Sequence, residues 1–253
     1  MRVKTLKTAV VYLFVGMCCS NVIALNLMGP PNAELEKGQW ELGAEYTHSE
    51  FALDFDFTSG SVPNPDFTKD EMKMDLISGR VGYGITETIE GFARIGSALI
   101  ENKEDGEDFS GDGIVYGVGG KVTLAQQQKI KWGVHAQINW INDVDGEWTG
   151  PGWAGDAETN LIQVLVSAGP NYQLTDYLSL YGGPFFYYLD GEKEYTETTP
   201  TPGEYEKYDL SNPSEFGGYI GAQIDLPENF NLTVEYQFTG DDNIFGIGLA
   251  WKY

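Results

Sequence analysis

Three sets of side chains in this 253-residue chain could do chemistry. The first is its two histidines, the residues that titrate near neutral pH. His48 stands in His48-Ser49-Glu50, a base beside a hydroxyl and a carboxylate, and His135 lies mid-segment on a polar face. Nucleophilic catalysis requires nucleophile, base and orienting group to meet in space. The second set is Glu45, Arg80, Glu90, Arg94, Lys121, Glu235 and Lys252, at the polar positions of alternating segments. Charges gathered inside a narrow wall must be paired or hydrated. The expected pairings set Arg80 beside Glu90, and Glu235 next to Lys252 with Glu45 across the closure. Arg94 and Lys121, like-charged neighbours, need a shared carboxylate such as Glu90, or water. The third set is the carboxylates crowded into Glu101–Asp112, Asn142–Glu158 and Asp190–Asp209. Such clusters can gather Ca²⁺ or Mg²⁺, but Asp143-Val144-Asp145-Gly146 has Ile141 where a calcium loop needs an acid. A solvated acidic surface is the reading here, with divalent cations bridging to anionic lipid headgroups or glycans as the alternative. No catalytic residue, metal site or cofactor is assigned.

The elements that must position these groups are strands. In Phe245–Tyr253, Phe245, Ile247, Leu249, Trp251 and Tyr253 fall on one side and Gly246, Gly248, Ala250 and Lys252 on the other, because side chains alternate with period two. The bulky face suits lipid and the small or polar face a crowded lumen, the inverse of a soluble sandwich. Alternating segments of about ten residues, the length that crosses a bilayer as a tilted strand, recur from Gly38 onward. Ten are expected, near 39–51, 74–85, 89–99, 113–124, 131–141, 159–172, 178–189, 215–226, 231–239 and 244–253, with a bulge at Pro184 because proline cannot donate to a ladder. Short connections (86–88, 125–130, 174–177, 227–230) alternate with long ones (58–71, 101–112, 142–158, 190–209) and a tight one at 240–243. Trp40, Tyr83, Trp132, Trp140, Tyr177, Phe230 and Trp251, near strand ends, suit interfacial girdles.

The first 24 residues read as a cleaved export signal, with Arg2, Lys4 and Lys7 before an apolar Ala9–Cys19 and small or aliphatic residues at Val22-Ile23-Ala24. Residues 25–37, with Gly29-Pro30-Pro31-Asn32, read as a periplasmic leader and 38–253 as the barrel. Both cysteines fall in the signal, so the mature wall is held without disulfides. Removing three basic residues and no acidic one takes the formal charge from −23 to −26, which excludes nucleic acid as a partner.

Through this architecture and its terminal aromatic strand, the chain from Gly38 to Tyr253 resembles the small outer-membrane β-barrel superfamily that includes the OmpA transmembrane domain, the Ail-type adhesins and OmpW. The resemblance implies an all-β, transmembrane, antiparallel up-and-down barrel of about ten strands, within a range of eight to twelve, in the bacterial outer membrane. It also implies that the terminal aromatic is read by the barrel-insertion machinery. Outer-membrane lipid is then the surrounding partner. The paired acidic motifs of the omptin proteases are absent. No histidine follows His135, whereas the lipid A deacylase PagL uses one near its C-terminus. The expected function is a non-enzymatic barrel presenting acidic loops for envelope integrity or surface contact; a narrow channel for ions or small solutes is the alternative, and an outer-membrane hydrolase the remaining one.

Overall fold

The computed structural model describes residues 26–61, 69–104, 107–150, 152–212, 215–240 and 243–253. The expected export signal, residues 1–24, lies outside the described residues. The chain runs through β1 (Trp40–Gly60), β2 (Lys69–Thr86), β3 (Ile89–Glu104), β4 (Glu107–Gln127), β5 (Ile130–Gly150), β6 (Trp153–Thr175) and β7 (Leu178–Thr199). It then forms β8 (Tyr205–Ser211), β9 (Phe216–Asp225), β10 (Phe230–Phe238) and β11 (Asn243–Lys252), with a short 3-10 turn at Pro227–Asn229. Sequential strands pair antiparallel except β8 and β9, which both pair with β7, and β11 returns onto β1 from Glu41↔Lys252 to Glu50↔Asn243. The sheet therefore has no free edge, as a lipid environment demands, and the β6–β7 ladder is interrupted between Ser167↔Phe185 and Asn171↔Tyr181.

β8 and β9 are two halves of one wall strand. β7 pairs with β9 through Leu178–Phe186 and with β8 through Asp190–Thr196. The break is bridged where Leu189 N donates to Asn212 Oδ1 (2.7 Å) and Tyr187 N to the Glu215 carbonyl (2.6 Å). The wall is thus the expected ten-stranded barrel. Above the short β10–β11 hairpin it narrows, because β1 continues past its β11 partner and pairs instead with β8 from Asp54↔Ser211 to Gly60↔Glu206. Eight strands carry on from there.

Alternation places Ile138, Val164 and Val234 on the outside, and Lys121 and Gln137 buried inside. The outer apolar band lies between two aromatic girdles. Trp40 packs on Tyr83 (4.7 Å between ring centres) and Trp251 on Tyr253 (4.9 Å) at the end where the chain enters, while Tyr116 stacks on Trp140 (5.5 Å) at the other. Trp132 and Trp140 bracket Ala136, whose partner across the ladder is Val166. Val166 therefore sits at mid-band. Val166→Lys is expected to lower stability by about 2–4 kcal/mol, read as a shift of the denaturant midpoint in lipid vesicles, with Glu158→Lys, on the solvated outer face, within about 0.5 kcal/mol of the parent.

Two expectations are corrected. The ladder register across Pro184 does not shift: Ser167↔Phe185 and Asn171↔Tyr181 are in step, and the β6–β7 pairing is interrupted between them rather than bulged. A missing donor can be accommodated by skipping bonds as well as by inserting a residue. Second, the segments expected as long loops at 101–112, 142–158 and 190–209 are, among the described residues, mostly strand. β4, β5, β6 and β7 run for 21, 21, 23 and 22 residues, about twice what a bilayer requires. They stay extended because their acidic residues alternate with inward apolar ones, as where exposed Asp145 and Glu147 alternate with buried Val144 and Trp148 in β5, and those inward residues share a core.

Candidate functional site

The lumen is filled in layers. At its lower, periplasmic end, β2 and β3 set Arg80 directly opposite Arg94, and β3 and β4 set Glu90 opposite Lys121. Arg80 reaches Glu41 (3.8 Å), Glu45 (3.6 Å) and Glu90 (3.5 Å), with its guanidinium 4.3 Å from the centre of the Phe92 ring. Arg94 takes its carboxylate from Glu45 (3.6 Å) and Lys121 takes its own from Glu90 (3.7 Å). Six of the seven expected residues, Glu45, Arg80, Glu90, Arg94, Lys121 and Glu235, are buried, and the first five meet in this network. Glu235 and Lys252 do not meet. Glu235 is in register with Gly246, and Lys252 is held 4.0 Å from Glu34 and in register with Glu41. The two lie six ladder positions apart along β11, which the sequence pairing did not resolve because hairpin register decides it.

Glu235 instead holds backbone. Residues 26–35 of the expected periplasmic leader run inside the wall, with Asn26 to Ala33 and Leu35 buried. Glu235 accepts from Met28 N and Gly29 N (3.0 Å each), and Glu90 accepts from Glu34 N (2.7 Å) and Leu35 N (3.1 Å). Arg94 donates to the Leu27 carbonyl (3.2 Å) and Gln237 to that of Asn26 (3.2 Å). Luminal glycines make the room. A Cβ on Gly133 would lie 2.4 Å from the backbone of Asn32, and one on Gly248 2.7 Å from Leu27. Sequence reasoning missed this segment, although a face lined with Gly82, Gly84, Gly133, Gly246 and Gly248 signals that something other than the wall fills the space.

Beside the charges lies a polar set of His135, Gln137, Asn139, Gln163 and Ser167, all buried, with His135 in register with Lys121 and Gln137 accepting from Arg94 (3.0 Å). His135 stacks on Phe92 (5.6 Å, 16° between planes) and is the cross-strand partner of Ser167, with no hydrogen bond between them. His48 behaves differently. Its Nδ1 lies 2.6 Å from Asp75 Oδ1, which also accepts from Tyr46 OH (2.7 Å), on the outside of the wall. Ser49 faces the lumen, fully buried, and donates to the Met74 carbonyl (2.8 Å), so serine and histidine stand on opposite faces.

The upper layer is apolar: Leu53, Phe55, Met72, Met74, Phe109, Trp148, Leu161, Tyr187, Tyr208 and their neighbours form one buried cluster. Lys193 is fully buried within it, its Nζ 4.2 Å from the centre of Phe109, 4.7 Å from Tyr195, 4.8 Å from Trp148 and 5.8 Å from Phe55. Aromatic faces attract a cation most strongly when water is excluded. Tyr208 OH donates to Glu206 (2.6 Å), and burial with that hydrogen bond holds its phenol above the ordinary range. Outside this tube the faces are acidic, with Asp145 opposite Glu158 and Glu147 opposite Asp156. Among the described residues, no three His, Cys, Asp or Glu side chains group closely enough to hold a metal ion.

A closed meander with a greasy exterior, aromatic girdles and charge within defines an integral bacterial outer-membrane β-barrel. The chain belongs to the outer membrane protein beta-barrel domain family, whose sequence profile matches residues 82–252. No curated protein matches it. Among solved structures it is similar to the translocator domain of the autotransporter NalP from Neisseria meningitidis, at 10% identity over 87% of this chain and 90% of that one, TM-score 0.49. It is also similar to OprG from Pseudomonas aeruginosa (7% identity, 86% and 97% covered, TM-score 0.46) and to the outer membrane protease OmpT from Escherichia coli (10%, 91% and 99%, TM-score 0.48).

Proposed function

We propose that the protein is a closed, non-enzymatic barrel that carries a rigid, acidic eight-stranded stalk above the outer membrane for envelope integrity or surface contact. The observation that carries this reading is the filled lumen: chain and paired charges below, packed aromatics above. Side chains on a rigid wall present a fixed charge pattern, whereas flexible loops would average it out. Glu192, Glu194 and Asp209 face outward from neighbouring strands in the stalk, balanced locally by Lys207, which donates to Glu192 (2.6 Å). Such a face suits cationic partners, and divalent cations gather there diffusely rather than by coordination. The experiment is planar-bilayer recording of the purified protein. The expected result is no steady unitary current; steady currents abolished by Lys121 or Arg94 substitution would establish a channel instead, and His48-dependent hydrolysis of lipid or peptide an enzyme.

A further inference from the structure

The N-terminal segment is held the way a receptor holds a peptide. Two wall carboxylates each take two successive backbone amides, Glu235 from Met28 and Gly29, and Glu90 from Glu34 and Leu35. Arg94 and Gln237 take the carbonyls of Leu27 and Asn26. Two side chains anchor the ends. Leu27 lies over Gly246 and Gly248, and Leu35 over Gly82 at 3.2 Å from where its Cβ would stand. Gln223 donates to Glu34 Oε1 (2.6 Å). Around Leu27 to Pro30 the cavity left between segment and wall is about 20 Å³, room for about one water, and beside Asn32 and Glu34 a wetter cavity of about 220 Å³ reaches Lys131, Asn171 and Lys252. The connection to β1 is exposed at Glu36, Lys37 and Gly38, with Gly38 at φ +86° and nothing within 4 Å of a Cβ there, and it is tied to the wall where Gly38 N donates to the Gly84 carbonyl (2.8 Å).

We propose that the periplasmic half of the lumen is a peptide-binding site, occupied in cis by residues 26–37 and able to exchange them for a separate peptide of the same sequence. Recognition runs mainly through the peptide's own amides and carbonyls, so the class of ligand is an oligopeptide with free N–H groups at two successive positions and leucine anchors. The wall does not depend on the segment for its closure, because β1 to β11 pair without it.

The test uses the full-length folded protein with a specific protease sequence inserted between Lys37 and Gly38. After cleavage, a fluorescent synthetic peptide of residues 26–37 is offered in detergent and its binding followed by anisotropy, with gel mobility before and after boiling reporting the barrel. Saturable binding to the cleaved, heat-modifiable barrel is expected, weakened at least tenfold when the peptide is N-methylated at Met28 and Gly29, which removes both donors to Glu235 without altering the barrel. Gly133→Val is expected to abolish binding while heat-modifiability remains. The proposal is overturned if the peptide does not bind a barrel that stays folded, if the N-methylated peptide binds equally well, or if cleavage alone unfolds the barrel. Conductance of the cleaved protein is a separate readout, so a failed exchange leaves the closed-barrel reading standing.

Discussion

Glu90→Ala should cost about 3–5 kcal/mol, the largest loss expected from any single truncation in the lower lumen, because it removes one partner from buried ion pairs. Glu90 faces Arg80 at 3.5 Å and Lys121 at 3.7 Å, and it also holds the amides of Glu34 and Leu35 at 2.7 and 3.1 Å. Its loss leaves buried Lys121 facing Arg80 without the carboxylate between them, and leaves two amides without an acceptor. Urea unfolding in lipid vesicles, followed by tryptophan emission, would show the midpoint fall. Adding Lys121→Met to Glu90→Ala is expected to recover more than half of the loss, since the uncompensated cation, rather than the missing bond, is the dominant cost. A double variant as unstable as the single one would place the cost in the amides instead.

Lys193→Glu is the second. The ammonium stands among the rings of Phe55, Phe109, Trp148 and Tyr195, fully buried. A carboxylate there would meet the negative faces of the same rings without solvent. Breaking such a desolvated arrangement is expected to cost about 3–5 kcal/mol, while Lys193→Met, which keeps the volume and adds no negative charge, should cost less, with the cation–π attraction of about 2 kcal/mol among its losses. Because Lys193 lies in the stalk, the damage should be local. Acrylamide quenching of Trp148 and limited proteolysis of residues 190–211 would increase, while the gel shift on boiling persists. Loss of that shift as well would show that stalk and membrane wall unfold as one unit.

The wall was legible because each of its strands carries a period-two pattern that lipid and lumen read with opposite sign. Trp132, Val134, Ala136, Ile138 and Trp140 alternate with Gly133, His135, Gln137 and Asn139, and the structure keeps every one on its expected side. Local charge pairings between adjacent strands, such as Arg80 with Glu90, followed from that pattern. What did not follow was anything that depends on layers along the barrel axis. Phe55 and Phe57 alternate with Asp54 and Asp56 as regularly as membrane strands do, but their carboxylates point to water, so acid density concealed the strand. The N-terminal segment has no periodicity to betray its place, since it is bound through its backbone. Its trace in the sequence is indirect, in glycines such as Gly133 that leave space for a second chain to approach.

The change from ten strands to eight has a mechanical corollary. The chain is fastened into a ring twice, by β1 with β11 in the membrane and by β1 with β8 above it. Tension applied at the outermost turns is borne around the upper hoop, which excludes β10 and β11. The C-terminal hairpin, whose aromatic end anchors the lower ring, is thereby shielded from being peeled away by a pull from the cell's exterior.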